Sequence, residues 1–115
     1  MANTFKLVSK AGVTSADVIY TVAGSTTTVI LGLMLGNTTS GSSNATVTLG
    51  TDTANRAGAN NETNQDVELL TTTAIPGYTT LELLAGNKVV METTDTLTVT
   101  GSAALDVILS IMEIT

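Results

Sequence analysis

The segment TLTVT, Thr96–Thr100, sets Leu97 and Val99 between three threonines. Successive side chains of a strand point to opposite faces, so this spacing sends leucine and valine into a core and the threonines toward water. A helix would put residues two apart on opposite sides of its axis and give neither face a character. ATVTL, at Ala45–Leu49, repeats the pattern, with Ala45, Val47 and Leu49 inward and Thr46 and Thr48 outward. This is the signature of antiparallel strands with one wet face.

Working outward, turn signals recur at Ala11-Gly12, Ala23–Ser25, Gly36–Asn44, Pro76-Gly77, Gly86-Asn87, Thr93–Asp95 and Gly101-Ser102. Between them lie short segments rich in Thr, Val and Ile, whose branched side chains favour strands. Strands are expected near Thr4–Ser9, Ala16–Val22, Thr28–Leu35, Ala45–Leu49, Val67–Thr73, Thr80–Leu84, Val89–Glu92, Thr96–Thr100 and Asp106–Ile114. No segment has convincing helical periodicity. The 115 residues therefore predict one all-β domain, an antiparallel β-sandwich of the jelly-roll or Ig-like kind with eight or nine short strands, or a small barrel. With aromatics at 3%, Leu, Val, Ile and Met must fill its core.

Two strands are apolar on both faces. In the closing DVILSIMEIT (Asp106–Thr115), Val107, Leu109 and Ile111 point one way and Ile108, Met112 and Ile114 the other. In TVILGLML (Thr28–Leu35), strict alternation puts Val29, Leu31, Leu33 and Leu35 on one face and Ile30 and Met34 on the other, with Gly32 between them. One face of each belongs to the core. The second must also be covered, because large exposed apolar patches are uncommon on soluble monomers. The chain's own loops could cover it; the alternative is a subunit interface built by Ile30, Gly32, Met34, Ile108 and Met112. Methionine adapts its shape to a partner, and glycine lets another backbone approach.

Charge excludes some functions. The net charge is −6, which repels nucleic acid. Its distribution is uneven. Lys6, Lys10 and Arg56 outweigh Asp17 and Asp52 before residue 57, whereas Lys88 faces eight carboxylates after it. The chain contains no basic patch and only three aromatic rings, Phe5, Tyr20 and Tyr78. The longest apolar run, VILGLMLG (Val29–Gly36), is far short of the roughly 20 residues that span a bilayer. The N-terminal MANTFKLVSKAG carries no signal-peptide core, which points to a soluble chain made in a cytoplasm.

Catalytic chemistry has few bearers. The sequence contains neither His nor Cys, so the usual general base, thiolate nucleophile and disulfide are absent. Ser9 and Lys10 are neighbours on an expected strand and point to opposite faces, the wrong geometry for a Ser–Lys pair. No catalytic residue, cofactor or metal is assigned. The polar segment TDTANRAGANNETNQD (Thr51–Asp66) reads as a long Asn-rich loop, exposing Asp52, Asn55, Arg56, Asn60, Asn61 and Asn64. Calcium accepts such oxygen ligands, but the spacing fits no EF-hand. A sugar-binding role stays open through a single tyrosine. Sequons at Asn37, Asn44 and Asn61 are what chance yields in a threonine-rich chain.

The opening MANTFK, the STTTVILGLMLGN strand, the NKVVMETTDTLTVTG hairpin and the closing DVILSIMEI together resemble a group of small all-β virion structural proteins of tailed bacteriophages, those of cyanophages and other aquatic phages especially. The resemblance covers mainly residues 1–36 and 79–115. It departs at Thr94, where ETTD stands in place of an expected ETGD turn. It implies a non-enzymatic virion component, foremost a capsid decoration or cement protein. Such a protein would be made in the host bacterial cytoplasm, form a dimer or trimer, and bind the major capsid protein or other virion proteins, with no nucleic-acid or membrane partner. The alternatives are a neck, tail or baseplate fibre component that adheres to the host and, of another class, a calcium- or sugar-binding β-sandwich.

Overall fold

Leu97 and Val99 are fully buried, as are Ala45 and Val47, and the threonines between them turn outward. The structure, a computed structural model, describes residues 2–51, 65–84 and 86–115. Among the described residues there are nine strands, β1 (Asn3–Val13), β2 (Asp17–Thr21), β3 (Thr27–Asn37), β4 (Ser43–Gly50), β5 (Asp66–Ile75), β6 (Thr80–Glu82), β7 (Val89–Met91), β8 (Thr96–Gly101) and β9 (Leu105–Ile114). All nine expected strands are present, most of them longer by a few residues at the ends.

The strands form two antiparallel sheets. One runs β1-β9-β3-β6, with β7 also paired to β3; the other runs β2-β8-β4-β5. Neither path closes on itself, so the fold is a sandwich rather than a barrel. Leu33, Leu35, Leu109 and Ile111 from the first sheet pack with Val47, Leu97 and Val99 from the second. No aromatic ring is fully buried among the described residues; branched aliphatics and Met91 fill the space. Burial of each such side chain is worth about 1.5–3 kcal/mol.

The chain departs from strict alternation inside β3. Ile30 pairs with Ile111 of β9, but the next pair is Gly32 with Ser110. Leu31 is the extra residue of a β-bulge, which reverses the facing of everything after it. Ile30 therefore points inward with Leu33 and Leu35, and Val29 points outward with Met34. The bulge falls between the two short strands on the same edge of β3. β7 covers Thr28–Ile30 and β6 covers Met34–Gly36.

Asn37 ends β3 as a buried knot. Its Nδ2 donates to the carbonyls of Gly41 (2.8 Å) and Ile75 (2.9 Å), and its Oδ1 accepts from the backbone N–H (2.9 Å) and hydroxyl (2.7 Å) of Thr39. The turn after β3 is thereby tied to the end of β5 in the other sheet. Beside it, a Cβ on Gly77 would overlap the Ser40 carbonyl, so only glycine fits there. The following Tyr78 takes the left-handed conformation, at φ 56°.

Candidate functional site

The two outer faces of the sandwich differ in chemistry although they are built alike. On the four-stranded sheet the central outward positions are Thr46 opposite Thr100 and Thr48 opposite Thr98. On the five-stranded sheet the equivalent positions are largely apolar. Register places them in three cross-strand rows. Phe5, Met112, Val29 and Val90 make the first; Leu7, Ser110 and Gly32 the second; Ser9, Ile108, Met34 and Glu82 the third. Phe5 is 72% exposed, Leu7 66%, Val90 55% and Ile108 39%. Glu82, at the end of the third row, is the one ionisable group in them.

Gly32, Met34, Ile108 and Met112 all stand on this outer face. Ile30 does not. It was expected there by alternation through Leu31, and the bulge turns it into the core, where its exposure is 0%. The exposed-loop residues Asp52, Asn55, Arg56, Asn60, Asn61 and Asn64 lie outside the described residues. At the base of that segment the backbone N–H and hydroxyl of Thr51 both donate to the Gln65 carbonyl at 2.8 Å.

Phe5, Leu7, Val29 and Val90 were not foreseen on this face. In FKLVSK the ordinary rule would turn Phe5 and Leu7 inward and the lysines outward. The structure does the reverse, because the inward margin of β1 supplies acceptors. Lys6 pairs with Glu113 at 2.6 Å and Lys10 with Asp17 at 2.8 Å. The pairing of β1 with the doubly apolar β9 was the signal available, since residues opposite each other share a face.

Two depressions interrupt the outer face. One, of about 160 Å³, opens beside Gly32 at the β3 edge, with walls that include Leu31, Leu33, Met34, Glu82 and Leu84. The other, of about 290 Å³, lies toward the end of the face between Met34, Gly36, Tyr78, Thr80, Asp106 and Ile108. The Tyr78 ring rises at its rim, 75% exposed. Asp106 is held by the backbone N–H of Gly12, which donates to its Oδ1 at 3.0 Å.

The perturbed titratable groups sit elsewhere, between the sheets at the β1 margin. Tyr20 donates its hydroxyl proton to Glu113 at 2.5 Å and accepts from Thr28 at 2.7 Å. Burial, reinforced by the Glu113 carboxylate, pushes the Tyr20 phenol up to about 12. The bond from Lys6, then that from Tyr20, holds the Glu113 carboxyl below its usual range. This cluster joins β2 to β3 and β9 by hydrogen bonds. It contains no nucleophile–base pair. Among the described residues no group of three Asp or Glu side chains is placed to hold a metal ion.

No protein-family model matches the chain, and no curated protein matches it. Among solved structures it is similar to a chain from Bacillus endospore appendages, which form disulfide-linked pili. That similarity has a TM-score of 0.50 and 14% identity and covers 97% of this chain and 84% of the other. At that identity the likeness concerns the fold. The 115-residue sequence contains no cysteine.

Proposed function

We propose that this chain is a non-enzymatic structural protein of a tailed-phage particle, a capsid decoration or cement subunit that assembles through the outer face of its five-stranded sheet. The carrying observation is the asymmetry of the sandwich. Threonine occupies the central outward positions of one sheet, whereas Phe5, Leu7, Val29, Met34, Ile108 and Met112 occupy those of the other. Eight consecutive pairs join β1 to β9. At about 3.3 Å per residue and about 4.8 Å between strands, β1, β9 and β3 over that length project roughly 350 Å². The largest apolar patch on a typical monomer covers a few hundred Å² and is often functional. The face has little charge, so it suits permanent burial rather than steering of a charged ligand. The phage assignment rests on the sequence resemblance of residues 1–36 and 79–115.

A second reading, a subunit of a self-assembling surface appendage, is favoured by the fold shared with the endospore pilus chain. Quantitative mass spectrometry of purified virions separates the two. Abundance near that of the major capsid protein is the expected result. Abundance near that of the portal moves the protein to the neck or tail, and absence from the particle overturns the phage reading.

A further inference from the structure

We infer that the outer face of the five-stranded sheet stacks on the same face of a second copy, about a two-fold axis that runs along β9. The inference deepens the assembly role proposed above and rests on that reading of the face. It commits the face to a partner of identical chemistry.

The middle row is complementary to itself in shape. Leu7, Ser110 and Gly32 follow one another across β1, β9 and β3. Leu7 is a knob, 66% exposed. Gly32 opens beside a depression of about 160 Å³. Ser110, between them, is small. A two-fold axis parallel to β9 and above it lays β1 of one copy over β3 of the other at the same height. Each Leu7 then meets the other copy's Gly32 depression, and the two Ser110 side chains meet on the axis. In the row before, Phe5 comes over Val29, and Met112 meets Met112. An axis running across the strands would instead set Leu7 on Leu7 and Gly32 on Gly32, knob on knob and hollow on hollow. Shape therefore selects the strand-parallel axis. It gives the aligned sheet packing seen when two twisted sheets stack, and the isologous contact that closes a dimer.

Charge points the same way. Each chain carries −6, so a contact between most parts of two copies is repulsive. The three rows hold a single carboxylate, Glu82, at the β6 edge. In the stack the two Glu82 side chains fall on opposite edges, well apart.

The test uses the intact purified chain. Sedimentation equilibrium should give twice the 11.7 kDa chain mass. Leu7→Asp should halve that mass, whereas Thr98→Asp, on the threonine face, should leave it unchanged. Because the protein has no cysteine, Ser110→Cys treated with a short bis-maleimide should cross-link to itself, and Thr98→Cys should not. The cross-link keeps the test decisive if Leu7→Asp folds poorly. A monomeric wild-type chain overturns the inference, as does a dimer in which Ser110→Cys fails to cross-link. A monomer that is abundant in virions overturns the stack and leaves docking to another virion protein in place. A cross-linked dimer absent from virions overturns the phage reading and leaves the stack.

Discussion

The ammonium of Lys6 on β1 lies 2.6 Å from a carboxylate oxygen of Glu113 on β9, and the other oxygen of that carboxylate accepts the Tyr20 hydroxyl proton at 2.5 Å. One carboxylate thus connects the edge strand of the first sheet to the edge strand of the second. β1 needs this connection. Only Val8 and Val13 of its residues pack with the core, so its attachment depends on the β9 ladder and on the polar groups along its inward side.

Acid should weaken this attachment. The Glu113 carboxyl is depressed in the folded chain by Lys6 and Tyr20, relative to about 4.3 in an unfolded one. Its contribution is present above the unfolded value and is lost as pH falls through the folded value. Amide exchange of β1 should therefore accelerate below about pH 4 before the core strands respond. Glu113→Gln should flatten that dependence.

Alkali acts through Tyr20. Its phenol is raised to about 12, so the contribution is complete below the unfolded value near 10 and is lost as pH rises toward 12. Tyr20→Phe should cost about 1–2 kcal/mol in urea unfolding at pH 7. It should also remove the alkaline limb of the stability profile.

The bulge at Leu31 can be tested with two substitutions four residues apart. Ile30→Ala should cost about 2–4 kcal/mol, because Ile30 is fully buried. Met34→Ala, on the outer face, should cost under about 1 kcal/mol in the isolated chain. Equal losses would mean that the two side chains share a face.

Thr94 holds φ at 73° in the turn closed by the Asp95 N–H to Glu92 carbonyl bond of 3.0 Å. A β-branched residue is strained there, and glycine is not. Thr94→Gly should stabilise the chain by up to about 1 kcal/mol, seen as a higher melting temperature.

Core truncation sets the scale for the others. Leu97→Ala removes a fully buried side chain from the centre of β8 and should cost about 2–4 kcal/mol by denaturant titration.

Most of the sandwich was legible in the sequence. Period-two alternation in ATVTL and TLTVT, together with the spacing of turns, identified the strands and their inward residues. Each such strand carries the signal on its own, because the pleat alone decides which side chains face the core. The doubly apolar β9 likewise announced a second apolar face, with Val107, Leu109 and Ile111 on one side and Ile108 and Met112 on the other.

Tertiary pairing decided the rest. Ile30 moved to the core because one extra residue in β3, opposite Ile111 and Ser110, reversed the facing of the strand. Bulges are created by the partner strand, so residue order within VILGLML does not contain them. Phe5 and Leu7 reached the outer face because Glu113 and Asp17 receive the lysines between and beyond them, an arrangement made across about a hundred residues in one case. The sequence by itself determined which segments are strands and that more apolar surface exists than one core can bury. Only the fold, by bringing β1, β9 and β3 side by side, gathered that surplus into one continuous face.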